Sequence, residues 1–171
     1  MKEFVDADGI LTIESWAGRI CIFKPDYVLK SQRRNFSFDI FENEIFWLQQ
    51  LELLGFVPKI IDINQDPREL KLTYCGEQIT ADNAPDDWEK QIEHILNGLT
   101  TKNCSHNDIK PTELLVRDNK IYLIDFGWAT KLDQDIPKSF PRGLGGKFKY
   151  GVRNFDDRYS MYKSLKKRNI V

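Results

Sequence analysis

Short runs in the first third of the chain carry the β-branched and aromatic residues, and the alternation, of half-buried strands. Residues 10–14 (ILTIE) and 19–23 (RICIF) are two such runs, joined through Ser15, Trp16, Ala17 and Gly18 as a hairpin connection, and residues 27–30 (YVLK) make a third. From residue 39 to 54 the period changes. Phe41, Ile45 and Leu48, with Trp47, Leu51 and Leu54 beside them, recur every three or four positions, which predicts a helix closed by Gly55 and barred from continuing by Pro58. Residues 59–63 and 70–74 return to strand character, the first followed by the turn-forming Asn64, Gln65, Asp66 and Pro67. The pattern gives five strands around one helix.

Residues 81–87 are polar, and the shift in composition near 76–86 marks the expected boundary between two parts of a single domain, 1–76 and 77–171. A second helix is expected from about Pro85. Trp88, Ile92, Leu96 and Leu99 fall on one face, and Asp86 and Asp87 suit the partial positive charge of a helix N-terminus. Residues 114–116 (LLV) and 121–124 (IYLI) flank the polar turn Arg117, Asp118, Asn119 and Lys120, the pattern of a β-hairpin. Residues 128–154, rich in Gly, Pro and charge, predict a long irregular segment, and 156–167 a closing helix.

A chain of 171 residues suits one domain, and 25 basic against 26 acidic residues, a net charge of −1, give no bias toward nucleic acid or a membrane surface. The basic run Lys163, Lys166, Lys167 and Arg168 reads as a solvated helix end. No apolar run approaches the ~20 residues of a spanning helix, and acids stand where a secretory apolar region would begin, so neither membrane insertion nor export is expected. Cys21, Cys75 and Cys104 are odd in number and lack a C-x-x-C spacing, which predicts free thiols and a cytoplasmic setting.

The chemistry-bearing residues gather on either side of the expected hairpin. His106, Asn107, Asp108, Ile109, Lys110, Pro111, Thr112 and Glu113 precede it, and Asp125, Phe126 and Gly127 follow, with Asp125 12 positions beyond Glu113. An isolated Asp-Phe-Gly arises readily by chance, whereas its combination with H-x-D-x-K-P and an intervening hairpin is specific. Together these residues resemble the catalytic loop and D-F-G motif of protein kinases.

The resemblance implies an α+β, two-lobed kinase-like fold: a five-stranded antiparallel N-lobe sheet plus one helix, and a truncated, mostly helical C-lobe. It also implies ATP and Mg²⁺ as cofactors. Phosphoryl transfer needs a positioned nucleophile and cations that neutralise charge on the phosphate oxygens. By resemblance Asp108 would address the acceptor hydroxyl, Lys110 the transferring phosphate, and Asp125 the Mg²⁺, with His106 supporting the loop. Glu113 stands where kinases place Asn as second metal ligand; a carboxylate oxygen suits Mg²⁺, and its extra charge either tightens the metal or repels the nucleotide. Asn107 replaces the Arg of H-R-D, so no phosphorylation switch acting through that cation is expected.

In the first half, Lys30 and Glu44 match the strand lysine and helix glutamate that anchor the α and β phosphates, with Lys24 and Glu42 as the competing choices. Gly18 is the one glycine of a loop in which kinases usually have several, so fewer backbone amides would approach the phosphates. Cys75, Gly76 and Glu77 read either as the hinge that meets adenine or as a plain strand-to-turn transition. Asp157, within Asp156-Asp157-Arg158-Tyr159-Ser160, is similar to the kinase residue that buttresses the catalytic loop from a helix below; a simple helix N-terminal Asp is the alternative. No A-P-E motif occurs, and Gly-rich 143–146 stand in that region, expected to order only with substrate.

The function expected is an ATP- and Mg-dependent kinase moving the γ-phosphoryl group to a hydroxyl acceptor. Lys110 inclines the acceptor toward protein Ser or Thr, while the short C-lobe inclines it toward a small molecule or saccharide. A nucleotide-binding pseudokinase acting as an interaction module is the reading from a different class.

Overall fold

The computed structural model of the protein describes residues 2–5, 7, 9–14, 18–32, 38–140, 151 and 153–171, and its class is α+β. The first part contains β1 (Lys2–Val5), β2 (Leu11–Glu14), β3 (Gly18–Phe23), β4 (Tyr27–Gln32), helix α1 (Ile40–Leu51), β5 (Ile60–Gln65) and β6 (Arg68–Thr73). These strands form one antiparallel sheet in the order β1-β2-β3-β4-β6-β5. The sheet therefore has six strands where the pattern gives five. The additional strand, β1, is exposed at all of its residues, so it carries no buried alternation to read.

Helix α1 follows the predicted stripe, with Phe41, Ile45, Trp47, Leu48 and Leu51 buried. Its N-terminus is held by Asp39, whose carboxylate accepts the N–H groups of Phe41 and Glu42 at 3.2 Å each and a bidentate pair from Arg68 of β6 at 2.9 and 2.7 Å. A 3₁₀ turn, Glu52–Leu54, ends the helix at Gly55, whose φ of +76° is the left-handed conformation that stops helices.

The second part contains β7 (Glu77–Gln78), α2 (Trp88–Thr101), β8 (Cys104–Ser105), a 3₁₀ turn (Pro111–Glu113), β9 (Leu114–Arg117), β10 (Lys120–Leu123), β11 (Thr130–Lys131) and α3 (Asp157–Lys167). Helix α2 begins at Trp88 rather than Pro85, because Pro85 sits in a turn whose carbonyl accepts the Trp88 N–H at 3.0 Å. The predicted hairpin is β9–β10; Asp118 and Asn119 adopt φ of +51° and +60°, the sign a two-residue hairpin turn requires. Strand β7 joins the hairpin sheet, and β8 pairs with β11 inside the stretch expected to be irregular. Within that stretch, 141–150 and 152 lie outside the described residues, as do Ser15, Trp16 and Ala17.

One apolar core runs from α1 (Ile45, Leu48, Leu51) and β6 (Leu70, Leu72) through α2 (Ile92, Ile95, Leu99) to the hairpin (Leu114, Ile121, Leu123), Phe126 and α3 (Met161, Leu165). Full burial of each such side chain stabilises by about 1.5–3 kcal/mol. This shared core sets α1 and β6 beside the hairpin, and β4 lies next to β6 in the sheet. A smaller cluster of Trp128, Ile136, Phe140 and Phe155 packs beside the segment that follows Gly127. Among the described residues no helix is long and apolar enough to cross a membrane.

Candidate functional site

Lys30 lies on β4, Glu44 on the buried side of α1, and Asp125 just beyond β10. The Lys30 ammonium donates to both Glu44 oxygens at 2.6 and 2.8 Å and to Asp125 Oδ1 at 3.1 Å. Burial alone would push Lys30 down, but Asp125 and Glu44 outweigh it and hold the ammonium above its ordinary range. Burial likewise opposes the Asp125 charge, yet Lys30 and Lys110 bring its carboxyl to about 2. Glu44 is raised by burial, against the pull of Lys30.

Two side chains outside the motifs fasten α1 to this place. Asn43 Nδ2 donates to the carbonyls of Phe126, Gly127 and Ala129 at 3.3, 3.0 and 2.9 Å, and Trp47 Nε1 donates to Ala129 at 3.1 Å. They carry Glu44 and the chain after Asp125 as one unit. Asn43 looks like any exposed helix polar residue in the sequence, and Trp47 like core; the only signal was their place one residue before and three after Glu44 on the same helix.

The loop before the hairpin supplies the other charges. Lys110 Nζ lies 2.8 Å from Asp108 Oδ2 and 2.9 Å from Glu113 Oε1, and Thr112 Oγ1 donates to the same Glu113 oxygen at 2.8 Å. Burial raises Asp108, partly offset by Lys110. Burial, with Asp125 adding to it, raises Glu113 to about 7 against the attraction of Lys110. The Asp125 charge also reaches this loop, raising Asp108, Lys110 and Glu113 alike.

His106 couples the two acidic segments through its ring. Nε2 donates to the Ile124 carbonyl at 2.9 Å, and Nδ1 accepts the Asp108 N–H at 3.3 Å, an arrangement that requires the neutral imidazole. Burial lowers its pKa to about 4, which keeps it neutral. Below the loop, Asp157 accepts the N–H groups of His106 and Asn107 at 2.7 and 3.1 Å and the Ser105 hydroxyl at 3.2 Å. Asp156, not Asp157, caps α3 by accepting the Tyr159 N–H at 3.0 Å. Of the two readings of Asp157, the geometry selects the buttress.

Other candidates stand apart from this cluster. Lys24 is held by Glu77 at 2.5 Å, and Tyr74 also donates to that carboxylate; Glu42 is exposed. The engagement of Lys24 with Glu77 and the exposure of Glu42 separate that alternative from the Lys30–Glu44 pair. Hydrogen bonds from Lys24 and Tyr74 hold Glu77 below the usual carboxylate range. Cys75 is buried, its thiol donates to the Thr73 carbonyl at 3.5 Å, and burial pushes it up to about 11. Residues 74–76 link β6 to β7, and Gly76 has φ +95° where a Cβ would overlap the Val116 carbonyl oxygen. Gly18 opens β3 opposite Gln32, and a Cβ there would overlap Ser31 O of β4, so strand pairing already accounts for the glycine.

Among the described residues no three His, Cys, Asp or Glu side chains group closely enough to hold a metal ion by themselves. Asp125 and Glu113, the two carboxylates that the kinase resemblance assigns to Mg²⁺, each face a lysine here, Lys30 at 3.1 Å and Lys110 at 2.9 Å. Compared with known protein families and with curated proteins, the sequence matches none.

Proposed function

We propose that the protein is an ATP- and Mg-dependent phosphotransferase with a two-lobed, kinase-like architecture, residues 1–76 forming the N-lobe and 77–171 belonging to the C-lobe. The observation that carries the reading is the Lys30 ammonium bridging Glu44 and Asp125, residues 14 and 95 positions away. A cation fixed between two carboxylates is prepared to meet the anionic oxygens of a nucleotide, with Glu44 orienting it.

Asp108, desolvated and raised by burial, is suited to orient an acceptor hydroxyl and take its proton. Lys110 pairs with Asp108 and Glu113 and would balance charge on the transferring group. Asp125 and Glu113 would hold Mg²⁺, which when bound supplies charge neutralisation between phosphate oxygens. The acceptor is a hydroxyl on a protein Ser or Thr or on a small molecule such as a saccharide. Lys110 supports the first. Incubation with Mg²⁺ and labelled ATP, with protein and sugar acceptors in parallel, tests this reading; transfer to neither, with no ATP turnover, contradicts it.

One observation favours a second reading, a nucleotide-binding pseudokinase. Glu113 replaces the expected Asn, and Lys110 clamps it together with Asp108. A nucleotide-dependent rise in melting temperature without turnover would select that reading.

A further inference from the structure

Asn107 does not join the carboxylate cluster. It is 4% exposed, and its φ of +67° lies in the left-handed region. Its side-chain nitrogen donates to the Ser105 carbonyl at 3.1 Å, the Trp128 carbonyl at 3.1 Å and Thr130 Oγ1 at 2.9 Å. Its side-chain oxygen accepts the Phe155 N–H at 3.0 Å. One neutral amide thus ties β8, the stretch that follows Asp125, and the residue leading into α3.

Few residues meet these demands together. Left-handed backbone favours Gly and Asn. Gly would accept the backbone but make none of the side-chain bonds. Asp would keep the acceptor yet turn a carboxylate oxygen toward the Ser105 and Trp128 carbonyls, with the Asp157 carboxylate already beneath the loop.

We propose that Asn107 is the positioning residue of the loop: its amide locks 105–108 to the segments on both sides, so that Asp108 stands ready without a phosphorylated side chain to order it. The meaning of "ready" rests on the phosphotransferase reading; the clamp itself does not. It acts through packing and hydrogen bonds and touches no substrate.

The test uses the full chain and the variants Asn107→Gly and Asn107→Asp. Amide hydrogen exchange in N107G should accelerate about tenfold or more at 105–108 and Phe155, and stay unchanged in β3, β4 and α2, because only the local opening equilibrium loses its bonds. With Mg²⁺ and ATP, kcat should fall about tenfold or more while KM for ATP stays within about twofold, the signature of a misplaced catalytic group. N107D should be impaired at pH 8 and regain activity on acidification, when the protonated carboxyl can again donate a bond. Phosphatase treatment of the wild type should leave kcat unchanged. Unaltered exchange at 105–108 and Phe155 in N107G, acceleration spread over the whole chain, an unchanged kcat in an active enzyme, or a wild type inactivated by phosphatase would each overturn the proposal. If the wild type shows no turnover at all, local acceleration still sustains the clamp, and the failure falls on the phosphotransferase reading alone.

Discussion

Lys30 and Asp125 meet across 95 positions of sequence: the Nζ of one lies 3.1 Å from Oδ1 of the other, and the same ammonium holds both oxygens of Glu44. Lys30→Met leaves Glu44 buried and Asp125 without its nearest cation. Breaking a buried pair costs about 3–5 kcal/mol; Lys30 keeps part of its side chain in solvent, so a loss of about 2 kcal/mol is expected in urea unfolding at pH 7. Glu44→Gln, which keeps a neutral acceptor, should cost less. Turnover of ATP should fall about a hundredfold or more in K30M, as for other groups that stabilise developing charge.

His106 makes stability depend on mild acid. Its folded pKa of about 4 lies below the ordinary 6.5, so the unfolded chain binds more protons between those values. The contribution is fully present above pH 6.5 and is lost as pH falls through 4. The shift corresponds to about 3 kcal/mol for this wholly buried ring. Comparing unfolding free energies of the wild type and His106→Gln from pH 7 to 4 should show the wild type losing more; parallel curves would contradict the neutral, buried imidazole.

Gly76 should tolerate no side chain. At φ +95°, with the Val116 carbonyl oxygen where a Cβ would go, Gly76→Ala combines backbone strain with overpacking and should destabilise by about 2–4 kcal/mol. A denaturant midpoint equal to that of the wild type would show that β7 can leave the hairpin without penalty.

Asp157→Asn replaces a carboxylate that accepts two backbone N–H groups with an amide that presents at least one hydrogen of its own. Loss of about 2 kcal/mol is expected, within the range for bonds to charged groups. Since the disturbed amides precede Asp108, kcat should fall more than KM rises in steady-state assays.

The sequence shows most of this architecture wherever side-chain periodicity reports burial. The stripe of α1, the hairpin around Asp118 and Asn119, and the stop at Gly55 all follow from local chemistry. Strand β1 escapes because every residue in it is exposed, and β7, β8 and β11 escape because two residues cannot show a period. For the site, Lys30, Glu44, Asp108, Lys110, Glu113 and Asp125 are named in the sequence only through the resemblance to protein kinases. The neutral amides that hold them are not legible even so. Asn43 reads as an ordinary helix-surface amide and Asn107 only as a replacement for the Arg of H-R-D, yet each satisfies carbonyls from distant segments, and only the folded chain shows which.

Thermal unfolding of the wild type and Asp125→Asn with millimolar ATP, with and without Mg²⁺, asks whether Asp125 and Lys30 mark a site for a metal-bound triphosphate, as proposed. The account predicts a rise in the wild-type melting temperature that requires Mg²⁺ and grows with ATP concentration, and little or none in D125N. No rise in the wild type, or an equal rise without Mg²⁺ and in D125N, would contradict it.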